Sequence, residues 1–418
     1  MIAVGRIASE ERDTGIPVTA PDASAAARQS ARFLYLYALA VAGGAVAYVP
    51  FLTILLPVRV TTLAGDDAVS ILAYTAFAGA IAASLGNIAF GWLSDITGRR
   101  RPWIALGLVL SCALLVSVRT ATSVPMLIGL IVLWQAALNM MLAPLAAWAG
   151  DCVPDRQKGF LGGLLAFAPA LGAVSGAVVT VPDLASADAR LGLVAAMVAA
   201  MVLPVLIFGA PRAMPHLMER RERDADARPE ASPAEREAIA RMWLARLLVQ
   251  LAEAVLFAFL LLWFRSIEPA YSDNDAATLF SIVLCVGVPL ALLTGRWSDR
   301  TARPIVPLSA SAATVAAGLL LMALAPTLQW AIFGYIVFGL ASTVFLSLHS
   351  SQTLRVLMRP ETRGRDLGLF NLTNTVPSLI MPWFAIALVP AFGFQALFLL
   401  LATLATLAAI LLSRLTRR

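Results

Sequence analysis

Residues 91–102 read Gly91-Trp92-Leu93-Ser94-Asp95-Ile96-Thr97-Gly98-Arg99-Arg100-Arg101-Pro102. An apolar run over 68–94 ends here on an aspartate, a glycine allows a turn, and three arginines precede the next apolar run. Asp95 falls at the C-terminal end of a predicted helix, where the helix dipole disfavours an anion, so it needs a partner. The N-terminus of another helix, with free N–H groups and positive potential, would serve. Gly91 is expected to let two helices approach closely. A degraded copy, Gly295-Arg296-Trp297-Ser298-Asp299, stands 204 residues later, and Arg303 matches Arg99. A second pair, Pro154 to Gly159 and Pro360 to Gly364, repeats at nearly the same offset. The chain is therefore expected to contain two related halves in parallel orientation.

Outward from this loop the sequence is a series of apolar runs. Hydrophobic residues make up 60% of the 418 and charged residues only 13%, whereas a soluble domain is nearer half apolar and a quarter charged. Mean hydropathy is +0.83. A helix that crosses a bilayer needs roughly 20 mostly apolar residues. Twelve such spans are predicted, at 33–58, 68–94, 102–118, 124–150, 160–182 and 190–209, then 239–264, 276–297, 304–325, 328–352, 366–390 and 393–413. Residues 1–31, rich in Ala, Ser and charge, read as a disordered tail. No apolar core follows a basic start there, so it does not read as a cleaved signal peptide. Residues 211–238 mix both charges without apolar periodicity and read as a linker. The expected organisation is an all-α membrane protein: six-helix bundles at 32–210 and 239–418 joined by that linker.

Net charge is +6, but the basic residues sit in short loops between apolar runs, which points away from nucleic acid. The odd-numbered loops carry only Arg59, Arg119, Arg190 and Arg265; the other 27 of 31 basic residues fall on the opposite side. Short basic loops stay in the cytoplasm, so both termini and the linker are expected there, in a bacterial-type inner membrane. Cys112, Cys152 and Cys285 lack metal-type spacing, and two histidines are few for a metal site. These cysteines are expected to be buried and unpaired. No cofactor or metal is expected, and the chain is expected to be a monomer.

The 91–102 stretch resembles the signature loop between helices two and three of the major facilitator superfamily, and the topology carries the resemblance over nearly the whole chain. The resemblance implies two rocking bundles with a substrate site at their interface near the midplane. It also implies a cytoplasmic gate of Gly91, Asp95, Arg99, Arg100, Asp151, Asp299 and Arg303. Asp95 would meet the start of helix eleven near Arg365 to Gly368. Asp299 would meet the start of helix five near Gly159, and Arg99 and Arg100 would pair with Asp151. The competing explanation is that the arginines only follow the charge bias of inner loops. Gly364 to Asn371 and Gly98 to Trp103 lean towards sugar and glycoside symporters. The sodium-coupled branch of those carries acidic residues inside helix two, and residues 70–90 contain none. Gly163, Gly172 and Gly176 keep the spacing of a drug-antiporter motif, but Ala177, Thr180 and Val181 depart from it.

Glu253 is the one acidic residue deep inside a predicted span. A carboxylate there costs at least about 3 kcal/mol unless it is paired, hydrated or protonated. Gln250 and Arg246 precede it by three and seven residues, on one helical face. Two readings follow: a proton-coupling or substrate-binding carboxylate, or a structural ion pair with Arg246. The resemblance makes helices one, four, seven and ten the cavity walls. Those helices add Gln135, Asn139, Thr343 and His349 as candidate cavity residues. His349 has two readings, a proton relay or a bond to backbone or serines. Tyr35 and Tyr37 fit an interfacial aromatic belt.

The function so implied is secondary transport of a small organic solute by alternating access. It is expected to be proton-coupled, since no Walker-type loop appears and each charge moved is worth about 2.3 kcal/mol per 100 mV. Sugar- or glycoside-like import is the first reading. Efflux of an amphipathic compound and a non-transporting assembly factor are the alternatives. No catalytic constellation suggests an enzyme.

Overall fold

A computed structural model describes residues 28–212, 214, 233–301, 305–356 and 363–415. Every regular element among them is a helix. The first, α1, spans Ala31–Pro50 and is capped by the Ser30 hydroxyl, which accepts from the Phe33 N–H at 3.3 Å. A π-helical turn, Phe51–Leu55, carries it into α2, Leu56–Ala64. At Gly65 the backbone takes φ 53°, ψ −120°, and the chain turns back so that α3, Ala68–Thr97, packs on α2. Gly98, at φ 61°, ends α3 and donates its N–H to the Asp95 carbonyl at 3.1 Å. Both turns need a left-handed backbone, which glycine adopts without a Cβ clash.

Next come α4, Arg100–Ser117, and α5, Val124–Cys152. The fifth expected span is broken into α6, Asp155–Leu165, and α7, Ala168–Val179. The cause is Pro169, which has no N–H to offer and would collide with the carbonyl four residues back. The helix α8 spans Ala187–Phe208. The later helices are α9, Pro233–Ile267; α10, Asp273–Thr301; α11, Ile305–Ala323; α12, Leu328–Val356; and α13, Arg363–Ser413. Two helices meet in α13 across a kink at Gly393, φ 71°.

Ten runs among the described residues are long and apolar enough to cross a membrane, against twelve expected. The difference lies in two places, where a short connection joins two consecutive helices into one apolar run. One run, Ala31–Thr97, has 67 residues and would be about 100 Å long if straight, against about 30 Å of hydrocarbon. The other, Val376–Ser413, contains the Gly393 kink.

The helices before residue 212 pack on one another, with α5 against α3 and α4, and α1 against α7 and α8. Those after 233 do the same, with α13 against α9 and α11, and α12 against α10 and α11. The two groups meet where α3 packs on α13, α7 on α10, and the π turn on α9.

Three expectations about the margins change. Gln29 is 3% exposed, so the folded part begins before residue 31. Its side chain donates to the Cys152 carbonyl at 3.0 Å and accepts from the Arg212 N–H at 3.0 Å. Its backbone exchanges hydrogen bonds with Gln157 at 2.7 and 3.0 Å. One buried residue thereby ties the tail to the ends of three segments, two through its side chain and one through its backbone. The helix α9 begins inside the expected linker, at Pro233. Cys152 is buried as expected, Cys112 is partly so, and Cys285 is exposed.

Candidate functional site

A cavity of about 1100 Å³ lies between the two groups of helices. Its walls come from α1, the π turn, α3, α5 and α7 on one side, and α9, α10, α12 and α13 on the other. Five of the six expected cavity residues line it: Gln135, Asn139, Gln250, Glu253 and Thr343.

Glu253 stands on α9 about 21 Å along the helix from its Ile267 end. It accepts a hydrogen bond from the Ser342 hydroxyl of α12, 89 residues away in sequence. Ser342 also lines the cavity and was not singled out in the sequence, where serine on an apolar helix carries no pattern. Arg246 does not line the cavity. Its Nε donates to Gln250 Oε1 at 3.4 Å and its Nη1 to Ser350 Oγ at 2.9 Å. No hydrogen bond or contact ion pair joins Arg246 to Glu253 among the described residues, so the ion-pair reading of Glu253 loses its direct contact.

On the facing wall, Asn139 is spent within the protein. Its amide donates to the Gln135 carbonyl at 2.9 Å and its oxygen accepts from Asn87 at 3.3 Å. The Thr343 hydroxyl donates to the Gly339 carbonyl at 2.8 Å. Among the described residues, the Gln135 amide and the hydroxyls of Tyr48 and Tyr335 line the cavity without a protein hydrogen-bond partner. His349 is corrected: it is fully buried outside the lining, with Nε2 2.8 Å from the Met242 carbonyl oxygen. That oxygen only accepts, so Nε2 carries a proton and the ring is held as a structural donor. Tyr37 is likewise corrected from an interfacial position; it is buried and donates to the Leu145 carbonyl at 3.0 Å.

At one end of the cavity lies the Asp95 cluster. Arg100 pairs with Asp95, donates from Nε to Asp151 Oδ2 at 2.9 Å, and donates from Nη1 to Ser94 Oγ at 2.6 Å. The expected Asp151 contact is present and Arg100 alone makes it; Arg99 is exposed. The Asp95 side chain is 62% exposed and pairs within its own helix group. The side chains of Arg365 to Gly368, of Asp299 and of Arg303 lie outside the described residues. Gly91 is also corrected. A Cβ there would meet Ala143 Cβ at 3.9 Å, an ordinary contact, so no close approach depends on it.

The other end is joined across the groups. Arg190 at the start of α8 pairs with Asp273 at the start of α10, and its Nη2 reaches the Thr180 carbonyl at 3.4 Å. Asn274 donates to the Ala177 carbonyl at 2.9 Å and to Thr180 Oγ1 at 3.1 Å. Between this end and Glu253, Tyr48 of α1 meets Phe257 of α9, and Phe257 meets Phe280 of α10, with ring centroids 6.3 Å apart in each pair. Phe77 of α3 meets Trp383 of α13 at 5.2 Å. One hint of this latch was legible in the sequence: Arg190 is among the four bases in the odd-numbered loops.

A sequence profile described as Major Facilitator Superfamily matches residues 30–357 and, again, 242–418. No match was found among curated proteins. Among solved structures, a POT family transporter in complex with 5-aminolevulinic acid has a TM-score of 0.70 at 13% identity, over 92% of this chain and 95% of that one. A bacterial homolog of the human lysosomal transporter Spinster, inward-facing and unoccupied, has a TM-score of 0.70 at 14% identity, over 95% and 98%. Its inward-facing, occupied form has a TM-score of 0.71 at 13% identity, over 92% and 96%.

Proposed function

The chain belongs to the major facilitator superfamily, and on that premise we propose that it is a proton-coupled transporter in which Glu253 takes and gives up the coupling proton. It is a multi-pass membrane transporter of small solutes, working by alternating access, and not an enzyme.

The observation that carries the proposal is the position of Glu253. It is the one carboxylate among the described cavity-lining residues, it stands deep between both helix groups, and Ser342 holds it in place. A group that must gain a proton or a partner to sit in low dielectric is suited to report the proton gradient. The runs Ala31–Thr97 and Val376–Ser413 each read as two crossings, turned at Gly65 and Gly393. That gives twelve crossings in two halves, 32–210 and 239–418. The Lys/Arg bias supports cytoplasmic termini in a bacterial inner membrane. In that orientation the Arg190–Asp273 latch faces outward and closed, while exposed Asp95 faces inward and open. Asp95, Asp151, Asp299, Arg99, Arg100 and Arg303 then form the inner gate in the opposite conformer.

The lining favours an amphipathic solute over a sugar-like one. Apolar and aromatic residues outnumber polar ones there, and the Thr343 hydroxyl and one N–H of Asn139 are already donated inside the protein. A sugar needs many directed donors and acceptors to replace its water.

The test is accumulation of a panel of solutes in proteoliposomes under an imposed pH gradient, read by mass spectrometry. Wild type is expected to accumulate its solute, and Glu253→Gln to lose gradient-driven accumulation while solute exchange survives. Undiminished accumulation by Glu253→Gln removes the residue from coupling.

A further inference from the structure

We propose that the cavity takes an amphipathic organic cation, whose charged centre lies between the Glu253 carboxylate and the ring cluster of Tyr48, Phe257 and Phe280. This rests on the transporter reading above and names its substrate class.

Charge sets the sign of the ligand. Among the described residues, the lining contains one carboxylate and no Lys, Arg or His. The nearest base on the same helix face, Arg246, is two turns away and is engaged by Gln250 and Ser350. The other groups facing Glu253 are neutral: the Ser342 hydroxyl, which donates to it, and the Tyr335 phenol on the same helix. An anionic solute would meet repulsion with no cation in the wall to offset it. A cationic solute meets a partner whose own burial is otherwise costly.

Ring geometry sets the rest. Phe257 is four residues beyond Glu253, so both project from one face of α9 with Cβ atoms about 6 Å apart. Tyr48 and Phe280 flank Phe257 at 6.3 Å, inclined to it by 46° and 70°. The three rings come from three helices in both groups, and they floor the cavity on its latched side. Aromatic faces attract cations, most strongly where water is excluded. A carboxylate one helical turn from such a floor matches a charged centre carried on an apolar body. The unpartnered Gln135 amide on the opposite wall leaves room for a polar substituent at the far end.

The experiment uses the full chain in lipid nanodiscs, titrated calorimetrically with tetraphenylphosphonium and with its uncharged analogue triphenylphosphine oxide. Wild type is expected to bind the cation about tenfold more tightly or better, and to lose that preference as falling pH protonates the carboxyl. Glu253→Gln is expected to abolish the preference, Glu253→Asp to retain it, and Phe257→Leu to weaken the cation more than the neutral probe. Equal binding of the two probes by wild type, or an undiminished preference in Glu253→Gln, overturns the proposal. The infrared band of a protonated carboxyl, titrating in wild type and missing in Glu253→Gln, separates the two readings. A band without cation preference removes the substrate class and leaves proton coupling. Cation preference without the band does the reverse. If Glu253→Gln does not fold, the Phe257→Leu comparison decides alone.

Discussion

The Arg190–Asp273 latch gives the sharpest quantitative prediction. Its side chains are 16% and 21% exposed, so the pair is largely sheltered from water, and Arg190 also reaches the Thr180 carbonyl. A charge-assisted pair of this kind is worth about 2 kcal/mol. Alternating access requires α8 and α10 to part at this end, so the whole contribution belongs to one conformer and biases the equilibrium. Losing about 2 kcal/mol shifts the ratio of conformers roughly 30-fold toward the state open at this end. The assay places a single cysteine at Leu52, on the cavity wall near the latch, in a chain with Cys112, Cys152 and Cys285 replaced. Labelling by a membrane-impermeant maleimide from the Arg190 side should accelerate about 10- to 30-fold in Asp273→Asn and in Arg190→Gln. The exchanged pair, Arg190→Asp with Asp273→Arg, should return labelling toward wild type, as a coupled pair does in a double-mutant cycle. Unchanged labelling in both single variants, with the protein folded, refutes the latch.

Three further outcomes follow from the same geometry. Arg100→Gln leaves Asp95 and Asp151 without their shared cation, and Asp151 is only 18% exposed; thermal unfolding in detergent should fall by about 2–4 kcal/mol, and an unchanged melting temperature would discard the cluster as a structural element. Gly98→Val forces a β-branched residue to φ 61° and should cost about 1–2 kcal/mol by the same measurement, whereas Gly91→Ala should cost little because only Ala143 lies within reach. Gln29→Ala removes a buried amide that ties two segments and should destabilise by about 1–3 kcal/mol, with faster protease cleavage near residues 28–30; equal cleavage rates would show that the ties carry no strength.

Most of the architecture was legible because it follows from solvation, which composition reports directly. Apolar runs of crossing length must be helices in lipid, where every backbone group needs an internal partner. A lone acid within an apolar run marked Glu253 before any helix was packed. Where local chemistry was misread, the cause was local too. Pro169 stood in plain view and breaks α7 from α6.

By itself the sequence determined the solvent, the helices and the apolar setting of one carboxylate, because each depends on residues near one another in the chain. Partner choice was decided only by tertiary structure. Ser342 reaches Glu253 across 89 residues, Asp273 reaches Arg190 across 83, and His349 turns to the Met242 carbonyl across 107. Such contacts depend on how each helix is rotated about its axis and on which end of the cavity is shut. Hydropathy sets neither. Asp95 shows this most clearly: its need for a partner was evident from its place at a helix end, but that Arg100 meets it, with the carboxylate exposed, is a matter of tertiary structure.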